Sequence, residues 1–388
     1  MIARGDSQAA SLAREFMLDP GVAFLNHGSF GAVPRPVFEE RVRLQREIEL
    51  NPVRSLARAL EPALDQARAR LGVALGAPAE ELAWAENATT GLNLLARSLV
   101  PRVSEGGEVL VTNLEYGAQL LAWEWLCARH RIGYRQAALT VPGAGGDALE
   151  AQLLGHVGDR TRIVLMSHVT SDTALRLPVE RVCAELARRG ILSVIDGAHA
   201  PGQIPLHLNG AAWDYYVGNI HKWFAAPRGA AFIYASRDNK RALDPLVISW
   251  GGTDPDTTLA ARTGWHGTHD PSAWLTVPFA LDFHNRRLRP LVPHARSVLA
   301  ELRAELIRAG LAPASQRPDP DLLMASFLLP DSGAADRLEQ RLAAERIEAL
   351  VKRDGPNGPI LRVCVAWYVT HRDTRRLIDA VAAALGGS

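Results

Sequence analysis

VIDGAHAPGQIPLHL (194–208) and DYYVGNIHKW (214–223) decide how this chain is read. Each starts as a β-rich apolar run and ends in side chains that can do chemistry: Asp196 and His199 in the first, His221 and Lys222 in the second. In a parallel sheet, ligands collect at the carboxyl ends of strands. A carboxylate there is costly to bury unless a cation or strong donor meets it. By itself Asp196 also reads as a turn or N-cap residue before Gly197, and Lys222 as a surface lysine with its stem on Trp223. The pair, one strand apart, is more specific than either member.

Composition sharpens the lysine. Of 43 basic side chains only Lys222, Lys240 and Lys352 are lysine, and the rest are arginine. Arginine stays protonated, whereas lysine can lose its proton and attack a carbonyl. Lys240 in SRDNKRALD and Lys352 in LVKRDG read as solvated turns, which leaves Lys222 as the reactive amine. A protonated pyridine nitrogen would satisfy Asp196 and make the ring an electron sink, the chemistry of pyridoxal phosphate.

Outward from this block, GEVLVTN (107–113), RIVLMSHV (162–169), ILSVID (191–196) and GAAFIYA (229–235) read as further strands. Pro178–Arg189 is amphipathic at helical spacing, with Val179, Val182, Cys183, Leu186 and Ala187 on one face. Such alternation predicts an α/β fold with a mostly parallel sheet flanked by helices. From about residue 271 the pattern changes to Arg/Leu/Ala helices (about 290–309, 333–345 and 371–386) around short strands at MASFLL and ILRVCV. That predicts a smaller α+β C-terminal domain.

The 388 residues suffice for two domains. A net charge of +1 gives no reason to propose nucleic acid or an anionic membrane as partner. No run is long and apolar enough to span a bilayer, and MIARGDSQAASLAREF lacks the apolar core of a secretory signal. Cys127, Cys183 and Cys364 are far apart and without CxxC spacing, which argues against a disulfide framework or zinc site and fits a reducing cytoplasm.

Other segments carry weaker signals. ENATTGLNLLA (86–96) reads as a turn entering a helix, with Thr89 and Thr90 where free N–H groups and the dipole favour a phosphate; plain N-capping by Asn87 or Thr89 is the alternative. SHVTSDTALRLPV (167–179) places His168 and Thr170 at the sheet's carboxyl edge. Tyr116, after a strand, can stack on a flat ring or simply be buried. GWHGTHDPS (264–272) is a second candidate phosphate contact, and no carboxylate or cysteine stands near its histidines at metal-ligand spacing. GxGxxG followed by an acidic residue is absent, and HGSFG lacks the glycine of a nucleophile elbow, so neither a nicotinamide dehydrogenase nor a serine hydrolase is indicated.

Taken together, these segments resemble the class V aminotransferase superfamily of pyridoxal-phosphate enzymes, in its isopenicillin N epimerase-like branch. The resemblance runs from FLNHGSFGAVPRPVFE (24–39) to LRVCVAWYVT (361–370). It implies fold type I, with a seven-stranded sheet in a large domain over 31–270, a small domain over 271–388 and residues 1–30 as an arm joining the small domain. It also implies roles. Lys222 would be the Schiff-base lysine, Asp196 the partner of the pyridine nitrogen, His199 a neighbour of the ring hydroxyl and Tyr116 the stacking residue. Thr89, Thr90 and His221 would contact the phosphate, with His168 and Thr170 also at the cofactor. Thr268 would reach the phosphate of a second subunit, so a homodimer with shared sites is implied. Arg362 would hold the substrate α-carboxylate, and Asn26 and His27 would approach the substrate.

The superfamily includes transaminases, desulfurases, C–S lyases, kynureninases and epimerases, and fold does not choose among them. A desulfurase carries a mobile thiol shortly before the carboxylate-binding arginine. The corresponding ERIEALVKRDGPNGPI (345–360) has no cysteine, and Cys364 lies in an apolar strand. Epimerisation and C–S cleavage both begin with removal of the Cα proton and remain open at this stage. Side-chain specificity is expected from Asn26, Arg54, Trp250 and Trp265.

Overall fold

The computed structural model describes residues 2–141, 146–236, 239, 243–254, 257–315, 319–355 and 358–386. Lys240 lies outside the described residues. Apolar runs without polar alternation suit strands covered on both faces, and these runs build the main sheet. Numbered along the chain, the strands are β1 (Ala23–Phe24), β2 (Leu82–Ala85), β3 (Glu108–Thr112), β4 (Gly133–Ala137), β5 (Thr161–Ser167), β6 (Leu192–Asp196), β7 (Tyr215–Asn219), β8 (Ala231–Ala235), β9 (Ala312–Pro313), β10 (Met324–Leu328), β11 (Ile347–Glu348), β12 (Leu350–Lys352) and β13 (Ile360–Cys364).

Seven of them form one sheet in the order β2-β8-β7-β6-β5-β3-β4. Only β8 runs against its neighbours; the other pairings are parallel. Apolar side chains on its two faces feed separate core clusters under the flanking helices. The amphipathic helix Val179–Arg188 contributes Val179, Val182, Cys183 and Leu186 to the larger one, as its spacing predicts.

The strand order fixes where a ligand can sit. Chain order runs from β3 outward to β4, then jumps back across β3 to β5 and continues the other way. The loops leaving β3 and β5 therefore diverge and open a crevice at their carboxyl ends, the switch point at which doubly wound sheets bind ligands. Asp196 closes β6 beside it, in register with Ser167 of β5 and Val217 of β7.

The second sheet is antiparallel, in the order β12-β13-β10-β9, and carries Arg362 in its centre. The arm joins it from outside. β1 pairs in parallel with β11, and Cys364 N–H donates to the Leu25 carbonyl at 2.7 Å. The short helices Ser272–Leu275 and Val277–Phe283 pack on helices Arg35–Leu50 and Leu60–Leu75, although they follow residue 271. Helices Val292–Arg308, Ser332–Ala344 and His371–Leu385 pack with one another or with the antiparallel sheet.

Candidate active site

A cavity of about 630 Å³ opens where the arm, the switch-point loops and the antiparallel sheet meet. Asp196 and Asn219 end β6 and β7, His221 and Lys222 follow β7, Tyr116 and Gln119 come from the loop and helix after β3, Ser167, Ser171 and Asp172 from the end of β5 and the loop beyond it, and Lys352 and Arg362 from β12 and β13.

Lys222 is 8% exposed, which removes the surface-lysine reading. Its Nζ lies 3.0 Å from His199 Nε2. Burial, and next the Arg362 charge, push its amine below the ordinary lysine range, while Asp196 and Cys364 oppose the shift. Asp196 is buried and pushed up by burial, offset by the Ala198 N–H and by Lys222. That N–H donates to Asp196 Oδ1 at 2.9 Å. A buried amine and a buried carboxylate that each resist ionisation form a site where a proton moves at modest cost. His199 is held well below the ordinary histidine range by burial and then by Lys222.

His27 sits behind this pair and does not line the cavity. Its Nε2 faces the Lys222 carbonyl at 2.9 Å, and since that oxygen can only accept, Nε2 carries the hydrogen. Nδ1, 3.0 Å from the Tyr368 hydroxyl, then accepts. Burial lowers this ring to about 4, so it is neutral near pH 7. The expected substrate contact at His27 is thus corrected: it fixes the backbone that carries the lysine. The same segment approaches closely at Gly31, where φ is +69° and a Cβ would stand 2.0 Å from the His221 carbonyl oxygen.

At the other end, helix Ala88–Leu99 points its N-terminus at the cavity. Asn87 caps it by accepting from Thr90 N–H at 2.9 Å. Asn219 Oδ1 accepts from Ala88 N–H at 2.8 Å and so moors the helix to β7. Thr89, the helix's second residue, has an N–H without an intrahelical acceptor and lines the cavity. Thr90 does not line it, being turned to its cap. This end turns the Thr89 N–H and the positive pole of the helix dipole toward the cavity, a setting that favours an anion.

The loop after β5 corrects the expectation for His168 and Thr170. Ser167, Val169 and Ser171 line the cavity; His168 and Thr170 alternate to the other side. His168 Nδ1 lies 3.0 Å from the Tyr216 hydroxyl, and Thr170 is bonded to Thr173 at 2.7 Å. Thr268 is exposed and does not line this cavity. Arg54 borders a different groove, and neither Trp250 nor Trp265 lines the site.

Arg362 is 1% exposed and lies across from Lys222. Its Nη1 donates to the Ser171 carbonyl (2.9 Å) and hydroxyl (3.3 Å), and its Nη2 to Asn26 Oδ1 (3.0 Å) and Ser29 Oγ (2.7 Å). Cys364, two residues on, is buried under Gly28, its thiol raised by burial and held in a strand.

Residues 31–287 match the family Aminotransferase class-V. The chain is 37% identical over 395 aligned positions to the isopenicillin N epimerase of Amycolatopsis lactamdurans, covering 96% of this chain and 97% of that protein. It is 26% identical to the hercynylcysteine sulfoxide lyase of Schizosaccharomyces pombe, over 62% of this chain and 61% of that one. Among solved structures, the cystine C–S lyase C-DES superposes with a TM-score of 0.80 at 22% identity, covering 94% and 98% of the two chains, a likeness of fold. The chain belongs to the class V aminotransferases, enzymes of the pyridoxal-phosphate fold type I.

The residues fit that cofactor. Gln119 Oε1, His199 Nδ1 and Arg362 Nε are buried at the cavity without a hydrogen-bond partner. Such orphans are rare unless a ligand completes them. The helix end at Thr89, the carboxylate Asp196 and the buried amine suit a phosphate, a ring nitrogen and an aldehyde in turn. Gln119 also lines the cavity with no motif to mark it, and Asn219 does so from within DYYVGNIHKW, where its type gives no signal.

Proposed function

We propose that the protein is an amino-acid epimerase working at Cα, in the manner named by its epimerase relative. The observation that carries this is the Lys222 amine, buried beside Asp196 and 3.0 Å from His199, with Arg362 across the cavity. Pyridoxal phosphate, when bound, supplies an aldehyde for an amine and a ring that takes up the electron pair left at Cα.

The chain's residues supply the rest. Arg362 binds the α-carboxylate through its Nε–H, which has no partner, and one Nη hydrogen that exchanges its present neutral acceptor for the substrate, which completes the bidentate geometry that suits a guanidinium. Asp196 holds a proton on the ring nitrogen. Lys222, neutral at lower pH than an exposed lysine, takes the Cα proton on Nζ. His199 orients that amine through Nε2. Thr89 and His221 would hold the phosphate, and Tyr116 would cover the ring. An acid on the opposite face then returns a proton.

C–S cleavage is the second reading. The sulfoxide-lyase relative favours it, and elimination needs Lys222 alone with a leaving group at Cβ.

We also propose a homodimer. Leu121 (71% exposed) and Trp125 (55%) form an apolar helix face beside Tyr116. Among the described residues no helix is long and apolar enough to cross a membrane.

Incubation with L-amino acids in deuterated water tests the reaction. Epimerisation gives the D-isomer labelled at Cα with no keto acid. Pyruvate, ammonia and a released thiol or sulfenate mean lyase chemistry. Stoichiometric glutamate from 2-oxoglutarate overturns both in favour of transamination.

A further inference from the structure

Two of the chain's three lysines line the same cavity. Lys352, expected in a solvated turn, ends β12 and places its Nζ 2.6 Å from Asp172 Oδ2, and both residues line the cavity. Their side chains are 32% and 14% exposed, so the pair sits at the rim and stays reachable. In an arginine-rich chain, a compact cation with rotatable donors stands where a bidentate fork would be the common choice.

The register places this cation relative to Arg362. Leu350 faces Arg362 directly across β12 and β13. Paired residues share a sheet face, and so do positions two apart on one strand. Leu350, Lys352 and Arg362 therefore project from one face into the cavity, with Lys352 diagonal to Arg362. Diagonal positions stand ~7–8 Å apart. The large domain echoes this spacing: Arg362 bonds Ser171, and Lys352 bonds the next residue, Asp172. Two cations thus stand side by side, one committed to neutral acceptors (Ser171, Asn26 and Ser29), the other to a single displaceable carboxylate.

We propose that Lys352 is a specificity-determining residue which binds a second anionic group on the substrate side chain, with Asp172 holding the lysine in place until that group displaces it. The substrate class is then an amino acid with two anionic groups, the α-carboxylate on Arg362 and a distal carboxylate or equivalent oxyanion on Lys352. This deepens the Cα reading above and rests on it for the α-carboxylate. An anionic end gains the Lys352 charge on binding, whereas a neutral end leaves Lys352 with Asp172 and gains nothing from it.

The test needs no turnover. Straight-chain dicarboxylates from succinate to adipate, and the matching monocarboxylates, are titrated calorimetrically into the cofactor-loaded enzyme. One dicarboxylate length is expected to bind about 10- to 100-fold tighter than its monocarboxylate, the range for one charged hydrogen bond. Lys352→Met should erase this ratio and Lys352→Arg should retain part of it. Asp172→Asn, which removes the competing carboxylate, should tighten the dicarboxylate by about fivefold or more. If Lys352 and Asp172 merely clamp the sheet to the loop, both substitutions weaken binding together, and that result overturns the proposal. Equal binding of mono- and dicarboxylates by the native enzyme also overturns it, whatever turnover shows. A dicarboxylate preference that depends on Lys352, in an enzyme that exchanges no Cα hydrogen, upholds this site and sinks the epimerase reading instead.

Discussion

On the sheet side of the cavity, Lys222 and His199 are buried and short of partners, and burial drives both toward their neutral forms. On the antiparallel-sheet side, Arg362 is just as buried yet donates four hydrogen bonds, and Lys352 is held by a carboxylate. The same fold handles charge in two ways. Where a proton must move, the site withholds partners, so desolvation sets the pKa. Where an anion must be recognised, the site supplies partners, so the cation keeps its place and orientation. Changes on the first wall should therefore strike the chemistry, and changes on the second should strike binding.

The largest effect belongs to Lys222. Lys222→Ala should abolish borohydride-trappable attachment of the cofactor and reduce Cα exchange by about 10⁴-fold or more, since both nucleophile and base are lost. Trapped cofactor on Lys352 or Lys240 instead would show that the sheet side is not the reactive wall.

Asp196→Asn comes next. Lysine attachment should survive, while Cα exchange falls by about 10²- to 10⁴-fold with the loss of an electrostatic partner. Exchange within tenfold of the native enzyme would remove Asp196 from the electron-sink role.

Arg362→Met probes the boundary between the walls. KM for the amino acid should rise by about 100-fold, with a smaller fall in kcat. The charge also acts across the cavity. Only the neutral Lys222 amine attacks an aldehyde, so cofactor capture by the apo protein should rise with pH and level off below the ordinary lysine range. Arg362 is the second cause of that depression, after burial. Its removal should move the capture profile to higher pH. An unmoved profile would mean that burial acts alone.

Much of this was legible in the sequence, and the failures have physical causes. The long apolar runs became β3, β5, β6, β7 and β8 because strands covered on both faces need no alternation, and the Asp196 and Lys222 positions follow from where those runs stop. β2 (LAWA) and β4 (GYRQA), the two edge strands, carry too little signal to be read: the first is only four residues and the second is half-polar. In SHVTS the structure sets the alternation one residue away from the expected phase, with Ser167, Val169 and Ser171 facing the cavity. Side chains alternate with period two, and nothing in that segment says which parity faces the crevice. Lys352 looked solvated because KRDG is turn-like and its partner Asp172 is remote in sequence. Gln119 carries no motif, and Asn219 sits in DYYVGNIHKW without a signal of its own; their roles exist only once β7 and the helix after β3 are brought beside the helix that starts at Ala88.

The smallest predicted effect concerns a residue on neither wall. Thr268 is exposed, in a loop ordered by a His269 Nδ1–H to Gly267 carbonyl bond of 2.8 Å and by stacking of His266 on His269 at 4.3 Å. A loop this organised, with its threonine outside its own chain's cavity, suits donation to the phosphate of a neighbouring copy. If so, each cavity has a third wall, and that wall acts by pairing, like the Arg362 side. Thr268→Ala should then weaken cofactor retention by about 1–3 kcal/mol, the cost of leaving a buried charged acceptor short of one donor, and leave the pH profile of capture in place. Dialysis of the loaded enzyme with absorbance of the released cofactor measures the first quantity, and sedimentation at micromolar concentration measures the assembly. A native protein that sediments as a monomer with full cofactor occupancy would remove the third wall, and the cavity would then be complete with the two walls that one chain provides.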